Sequence, residues 1–110
     1  MEITTLPKNT NFEQLLQAQP IVLLQFTSTR CAPCTAIRQR IHAWGQEKSG
    51  LCAYAVPIED FPTLCGQLGI FTVPTLLVYV EGKLTLRESG YFSLDDLLRQ
   101  VDRYLELCME

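Results

Sequence analysis

Hydrophobic and polar positions alternate along the chain in a way that divides it into short, well-bounded segments. Residues 2–6 predict a short strand. Thr10-Asn11-Phe12-Glu13 has the spacing of a capping box, with Thr10 covering a free backbone N–H and Glu13 reaching back, and Phe12, Leu15 and Leu16 share one helical face behind it. Pro20 ends that segment. Ile21-Val22-Leu23-Leu24-Gln25-Phe26 is a partly β-branched apolar run that fits a strand buried on both sides. From about Cys31 to Glu47, Cys34, Ile37, Ile41 and Trp44 recur at helical spacing, and Gly45 and Gly50 weaken or stop the helix. Residues 51–58 predict another buried strand. Asp60 is placed to cap a short helix carrying Leu64, Cys65 and Leu68, which Gly69 closes. Thr75 to Val80 and Lys83 to Ser89 read as strands joined by a Glu81-Gly82 hairpin turn. Ser93 caps a last helix with Asp95 and Asp96 at the positive end of its dipole, and Leu94, Leu97, Leu98, Val101, Leu105 and Cys108 line one face.

The order is therefore β-α-β-α-β-α-β-β-α. Alternation in the first part favours parallel pairing with helices on both sheet faces, and the late hairpin adds antiparallel strands, so the expected fold class is α/β with a central mixed sheet. Connections are short and no repeat or linker interrupts them, which predicts one domain over residues 1–110.

Composition narrows the function. A chain that is 47% hydrophobic and 19% charged is not a disordered one. Its net charge of -3 and the absence of a Lys/Arg cluster argue against nucleic-acid binding, and Arg38 and Arg40 read as solvated helix positions. The longest apolar runs, Ile21 to Leu24 and Leu76 to Val80, are too short to cross a bilayer. Met1-Glu2-Ile3-Thr4 has no signal-peptide pattern, so a cytoplasmic address is expected, and the chain is expected to act as a monomer. The five cysteines are an odd number. In a reducing compartment, a close pair among them reads as catalytic or metal-binding rather than as a structural staple.

That pair is Cys31-Ala32-Pro33-Cys34, placed after a predicted buried strand and at the start of a predicted helix. Only the thiolate is nucleophilic, and unpaired N–H groups at a helix start, together with the helix dipole, stabilise negative charge on Cys31. Arg30 adds positive charge beside it. Cys34 lies one turn further in, within reach of the first sulfur. Cys31 is thus the expected attacking thiol and Cys34 the resolving thiol of a disulfide exchange. A structural zinc site needs about four ligands. Cys52, Cys65, Cys108 and His42 supply no second ligand pair, so no metal is expected. Cys52, Cys65, Cys108 and Trp44 read as core and His42 as a solvated helix residue.

Across nearly its whole length the chain resembles the thioredoxin family. The matching pieces are Leu24-Gln25-Phe26, Cys31-Ala32-Pro33-Cys34, Gly69-Ile70-Phe71-Thr72-Val73-Pro74-Thr75, Glu81-Gly82-Lys83 and Ser89-Gly90-Tyr91. The resemblance implies a thioredoxin-like fold and a dithiol/disulfide cycle on protein disulfides. It implies no cofactor beyond the redox-active Cys31–Cys34 disulfide, and a reductase or other dithiol as electron donor. It also implies a cis bond before Pro74, exposed backbone at Val73 for an extended substrate segment, and a groove bordered by Thr72, Val73, Pro74, Gly90 and Tyr91.

The chain departs from the family at several of these positions. Arg30 stands where a Trp is usual, Ala32-Pro33 where Gly-Pro is usual, Thr35 where a Lys is usual, and Gln25 where the family carries a buried Asp whose Lys partner matches Ala55. An Asp there can accept the proton of Cys34 and Gln cannot, which predicts a slower or more alkaline resolving step. Arg30 and Thr35 also change the face offered to the donor. These departures leave a second reading open, a redox-inactive adaptor or chaperone module that uses the groove alone. A metal carrier, and an oxidase or isomerase running the same chemistry in reverse, are further alternatives.

Overall fold

The computed structural model describes residues 1–108. Its elements are β1 (Ile3–Thr5), α1 (Phe12–Leu16), β2 (Ile21–Thr27), α2 (Ala32–Gly45), β3 (Leu51–Pro57), α3 (Pro62–Leu68), β4 (Thr75–Val80), β5 (Lys83–Ser89) and α4 (Leu94–Cys108), with a short 3-10 turn at Ile58–Asp60. The order matches the sequence expectation. The strands form one sheet in the order β1-β3-β2-β4-β5. Both β1 and β2 run parallel to β3, while β4 runs antiparallel to β2 and to β5. No helix among the described residues is long and apolar enough to cross a membrane.

Because β2 lies between β3 and β4 with helices on both faces, every residue from Ile21 to Phe26 is buried. Alternate side chains feed two cores. Ile21 and Leu23 join Ile41 of α2 and Leu97, Leu98 and Val101 of α4. Val22, Leu24 and Phe26 join Leu15 of α1 and Cys65 of α3 on the opposite face. Each such side chain contributes about 1.5–3 kcal/mol by leaving water, which explains why the run shows no polar alternation.

The turns follow local chemistry. Glu81 and Gly82 both take positive φ, 50° and 82°, the geometry that lets a two-residue hairpin match strand twist. Gly69 ends α3 in the left-handed region, as its position predicts. The Arg87 guanidinium donates to the carbonyls of Leu68 and Gly69 and ties that helix end to β5.

Several local expectations are corrected. Asn11, not Thr10, caps α1: Asn11 Oδ1 accepts from Gln14 N at 3.1 Å, whereas the Thr10 hydroxyl donates to Pro7 O at 2.7 Å. Asp60 does not cap α3. Phe61 occupies the cap position without a side-chain bond, Pro62 opens the helix, and Asp60 pairs with Lys8. Arg38 is not simply solvated, while Arg40 is exposed as expected. Arg38 donates to Ile3 O and Thr5 Oγ1, joining α2 to β1, and Arg40 pairs with Asp95 at the start of α4. Trp44 is only half-buried, because its Nε1 donates to Asp102 Oδ2 and Lys48 lies over its ring.

Candidate active site

Strand register brings distant segments to one end of the sheet. Phe26 on β2 is opposite Thr75 on β4, and Thr75 is opposite Ser89 on β5. The segments flanking these residues, 28–31, 72–74 and 90–91, therefore emerge together. Gly90 N donates to Pro74 O at 3.0 Å, and the Thr75 hydroxyl donates to Thr72 O at 2.7 Å. Gly90 has φ 68° and the Val73–Pro74 peptide is cis.

Cys31 and Cys34 are joined by a disulfide with Cα atoms 5.4 Å apart. Cys31 is the cap residue of α2 and makes no side-chain capping bond, and Cys34 N donates to Cys31 O at 3.2 Å in the first turn. Pro33 sits in the first turn, where its missing N–H leaves no helix carbonyl without a donor. Cys31 is half-buried and Cys34 is 3% exposed, so only one sulfur is open to a partner. Arg30 is exposed and belongs to no ion pair among the described residues.

Behind the pair lies Gln25, 1% exposed. In phase with Ile21 and Leu23, it faces α2, where its Nε2 donates to Cys34 O at 2.7 Å. Its Oε1 has no hydrogen-bond partner. The residue beside Gln25 on β3 is Ala55, and the one beside it on β4 is Leu76, so neither neighbouring strand offers a side-chain donor.

Beside the disulfide runs a cleft of about 380 Å³ lined by Pro33, Ile37, Arg40, Val73, Pro74, Gly90, Tyr91, Phe92 and Leu94. Of the residues singled out in the sequence, Pro33, Val73, Pro74, Gly90 and Tyr91 line it; Thr72 and Ala32 do not, and both are exposed. Tyr91 is fully exposed, and Phe71, in the loop leading to Pro74, is 83% exposed.

Glu59 is a site residue that the sequence did not reveal. Its carboxylate accepts from Thr29 N at 3.2 Å and from the Thr29 hydroxyl at 3.4 Å, pinning the loop before Cys31. Hydrogen bonds from its own backbone N–H and that of Thr29 hold its carboxyl below the usual carboxylate range. The contact spans thirty residues, so no local pattern announces it.

The remaining cysteines lie apart from the pair. Cys65 of α3 is buried in the core on the α1 and α3 face of the sheet, and Cys52 of β3 is half-buried against it. Burial pushes the Cys52 thiol up to about 11 and raises Cys65 as well. Cys108 is half-buried against the other core. Among the described residues no group of three or more His, Cys, Asp or Glu side chains is disposed to hold a metal ion.

A family model described as Thioredoxin matches residues 3–103. The chain belongs to the thioredoxin family. It is 29% identical over 94 residues to a thioredoxin of Chlamydia caviae, covering 86% of this chain and 91% of that one. It is 25% identical over 97 residues to a thioredoxin of Alicyclobacillus acidocaldarius, covering 87% and 92%. Among solved structures, spinach chloroplast thioredoxin F superposes with a TM-score of 0.80 at 24% identity, covering 94% of this chain and 93% of that one, a likeness of fold. Thioredoxin-family membership together with a disulfide-forming Cys31–Cys34 pair makes the chain a thiol–disulfide oxidoreductase.

Proposed function

We propose that this thioredoxin-family protein reduces or exchanges disulfides of other proteins, with Cys31 as nucleophile and Cys34 as resolving thiol. The observation that carries the reading is the asymmetry of the pair, one sulfur half-buried at a helix start beside a cleft and the other buried beneath it. In the reduced protein the Cys31 thiolate attacks one sulfur of a substrate disulfide. The substrate S–S bond breaks, a mixed disulfide forms, and the leaving sulfur departs as a thiolate that takes up a proton. Cys34 then gives up its proton and attacks Cys31, which closes the internal disulfide and frees the second substrate thiol. Two electrons and two protons from a reductase or small dithiol restore the starting state. No other cofactor enters the cycle.

The cleft beside Pro74 takes the substrate. Val73 presents backbone to an extended segment, and Gly90 and Tyr91 border it. The three unpaired cysteines outside the pair, Cys52, Cys65 and Cys108, suit a reducing, cytoplasmic setting, in which the protein acts as a monomer.

The test is dithiothreitol-driven reduction of insulin by the wild type beside Cys31→Ser. Turnover in the wild type that falls to the uncatalysed background in the variant supports the reading. Absence of turnover in both overturns it in favour of a redox-inactive adaptor. In that case partner binding survives replacement of both cysteines by Ser.

A further inference from the structure

Gln25 places a polar atom where neither adjacent strand provides a side-chain partner for it. Its amide is nearly sealed from water at 1% exposure, Nε2 is committed to the Cys34 carbonyl, and Oε1 is left without a partner. A buried acceptor without a donor is costly, and the cost vanishes when a donor arrives. The neighbouring strand residues, Ala55 and Leu76, have no polar side chain to supply one. The residue Gln25 already grips is Cys34, whose sulfur carries no hydrogen while it is held in the disulfide.

Reduction changes that inventory. When two electrons and two protons enter, the Cys31–Cys34 bond breaks, each sulfur gains a hydrogen, and the donating dithiol leaves as a disulfide. A new S–H donor then appears on the buried residue whose carbonyl Gln25 holds. We propose that Gln25 Oε1 accepts the hydrogen bond of the reduced Cys34 thiol, so that Gln25 biases the pair toward its dithiol form. Gln25 is on this account a positioning residue with a thermodynamic effect. The Nε2 bond is present whichever state the sulfurs are in, whereas the Oε1 bond exists only after reduction. The inference rests on the redox reading of the Cys31–Cys34 pair but not on turnover.

The decisive measurement is the equilibrium of the pair with a reduced/oxidised glutathione buffer, in the wild type and in Gln25→Leu. Leucine removes the orphaned acceptor and relieves the oxidised form. Loss of the Nε2 bond affects both forms and cancels. The equilibrium constant for reduction is expected to fall about five- to tenfold, the worth of one buried hydrogen bond, which corresponds to about 20–30 mV. An unchanged constant, or one that rises, overturns the proposal. Gln25→Met serves as a second variant if Leu does not fold. A separate readout is the infrared S–H stretch of Cys34 in the reduced Cys31→Ser protein, isolated by difference against Cys31→Ser/Cys34→Ala. A band lowered by hydrogen bonding supports the proposal, and one at the position of a free thiol overturns it. A glutathione shift without insulin turnover sinks the catalytic reading alone. Insulin turnover without a glutathione shift sinks this inference alone.

Discussion

The molecule buries sulfur in two places with opposite consequences. At the start of α2, Cys34 is 3% exposed yet bonded to a half-buried partner that caps the helix, with a cleft alongside. Across the sheet, Cys52 and Cys65 sit among Leu, Val and aromatic side chains with nothing to support a negative charge, and burial pushes Cys52 up to about 11. Burial alone does not distinguish the regions, since Cys65 and Cys34 are both enclosed. The difference lies in whether a helix start and an outlet to solvent accompany the sulfur. Reactivity belongs to the place rather than to the thiol.

The contrast is tested most severely by exchanging the roles. Cys34→Ser is expected to cut insulin turnover more than about a hundredfold, in line with removal of a reacting group. It should also leave a mixed disulfide with substrate that mass spectrometry detects as an adduct. Cys65→Ala is expected to keep turnover within about twofold, because Cys65 is a packing residue. Equal losses in the two variants would erase the distinction.

A smaller effect should appear in alkali. The unfolded chain ionises Cys52 near its ordinary value of 9.0, whereas the folded chain resists until about 11. Between these values the unfolded state holds fewer protons, so stability falls as pH rises through the window. Urea titrations across that range should show a shallower decline for Cys52→Val than for the wild type. Parallel curves would mean that Cys52 ionises freely in the fold.

The smallest effect concerns the loop before Cys31. Glu59 has a lowered carboxyl, so its contribution is present above the ordinary value of 4.5 and is lost as pH falls through the lower folded value. Glu59→Ala is expected to speed hydrogen exchange of the Thr29 amide while changing turnover less than about threefold. An unaltered Thr29 exchange rate would remove Glu59 from the site.

Much of this was legible in the residues, and the failures share a cause. The hairpin is legible to its ends because Glu81-Gly82 carries its own turn geometry. The cysteine pair was read because strand, motif and helix are contiguous. The cap of α1 is ambiguous in the sequence because Thr10 and Asn11 are both competent, and the choice depends on Pro7 offering its carbonyl to the Thr10 hydroxyl. Arg38 and Trp44 looked ordinary because their partners, Ile3, Thr5 and Asp102, lie far away in sequence. Gln25 stood out as a departure from the family, but its orphaned oxygen depends on what faces it across β3 and β4.

The two borders of the sheet carry a consequence of their own. One is β1, only three residues long, and the other is β5, where Lys83, Arg87 and Glu88 are exposed. Short and charged outer strands discourage copies of a chain from zipping together into aggregates. If, as proposed, the protein offers backbone at Val73 to extended substrate segments, it has to resist accepting itself. Under that proposal, blunted borders keep the flanks inert while the Val73 loop stays receptive.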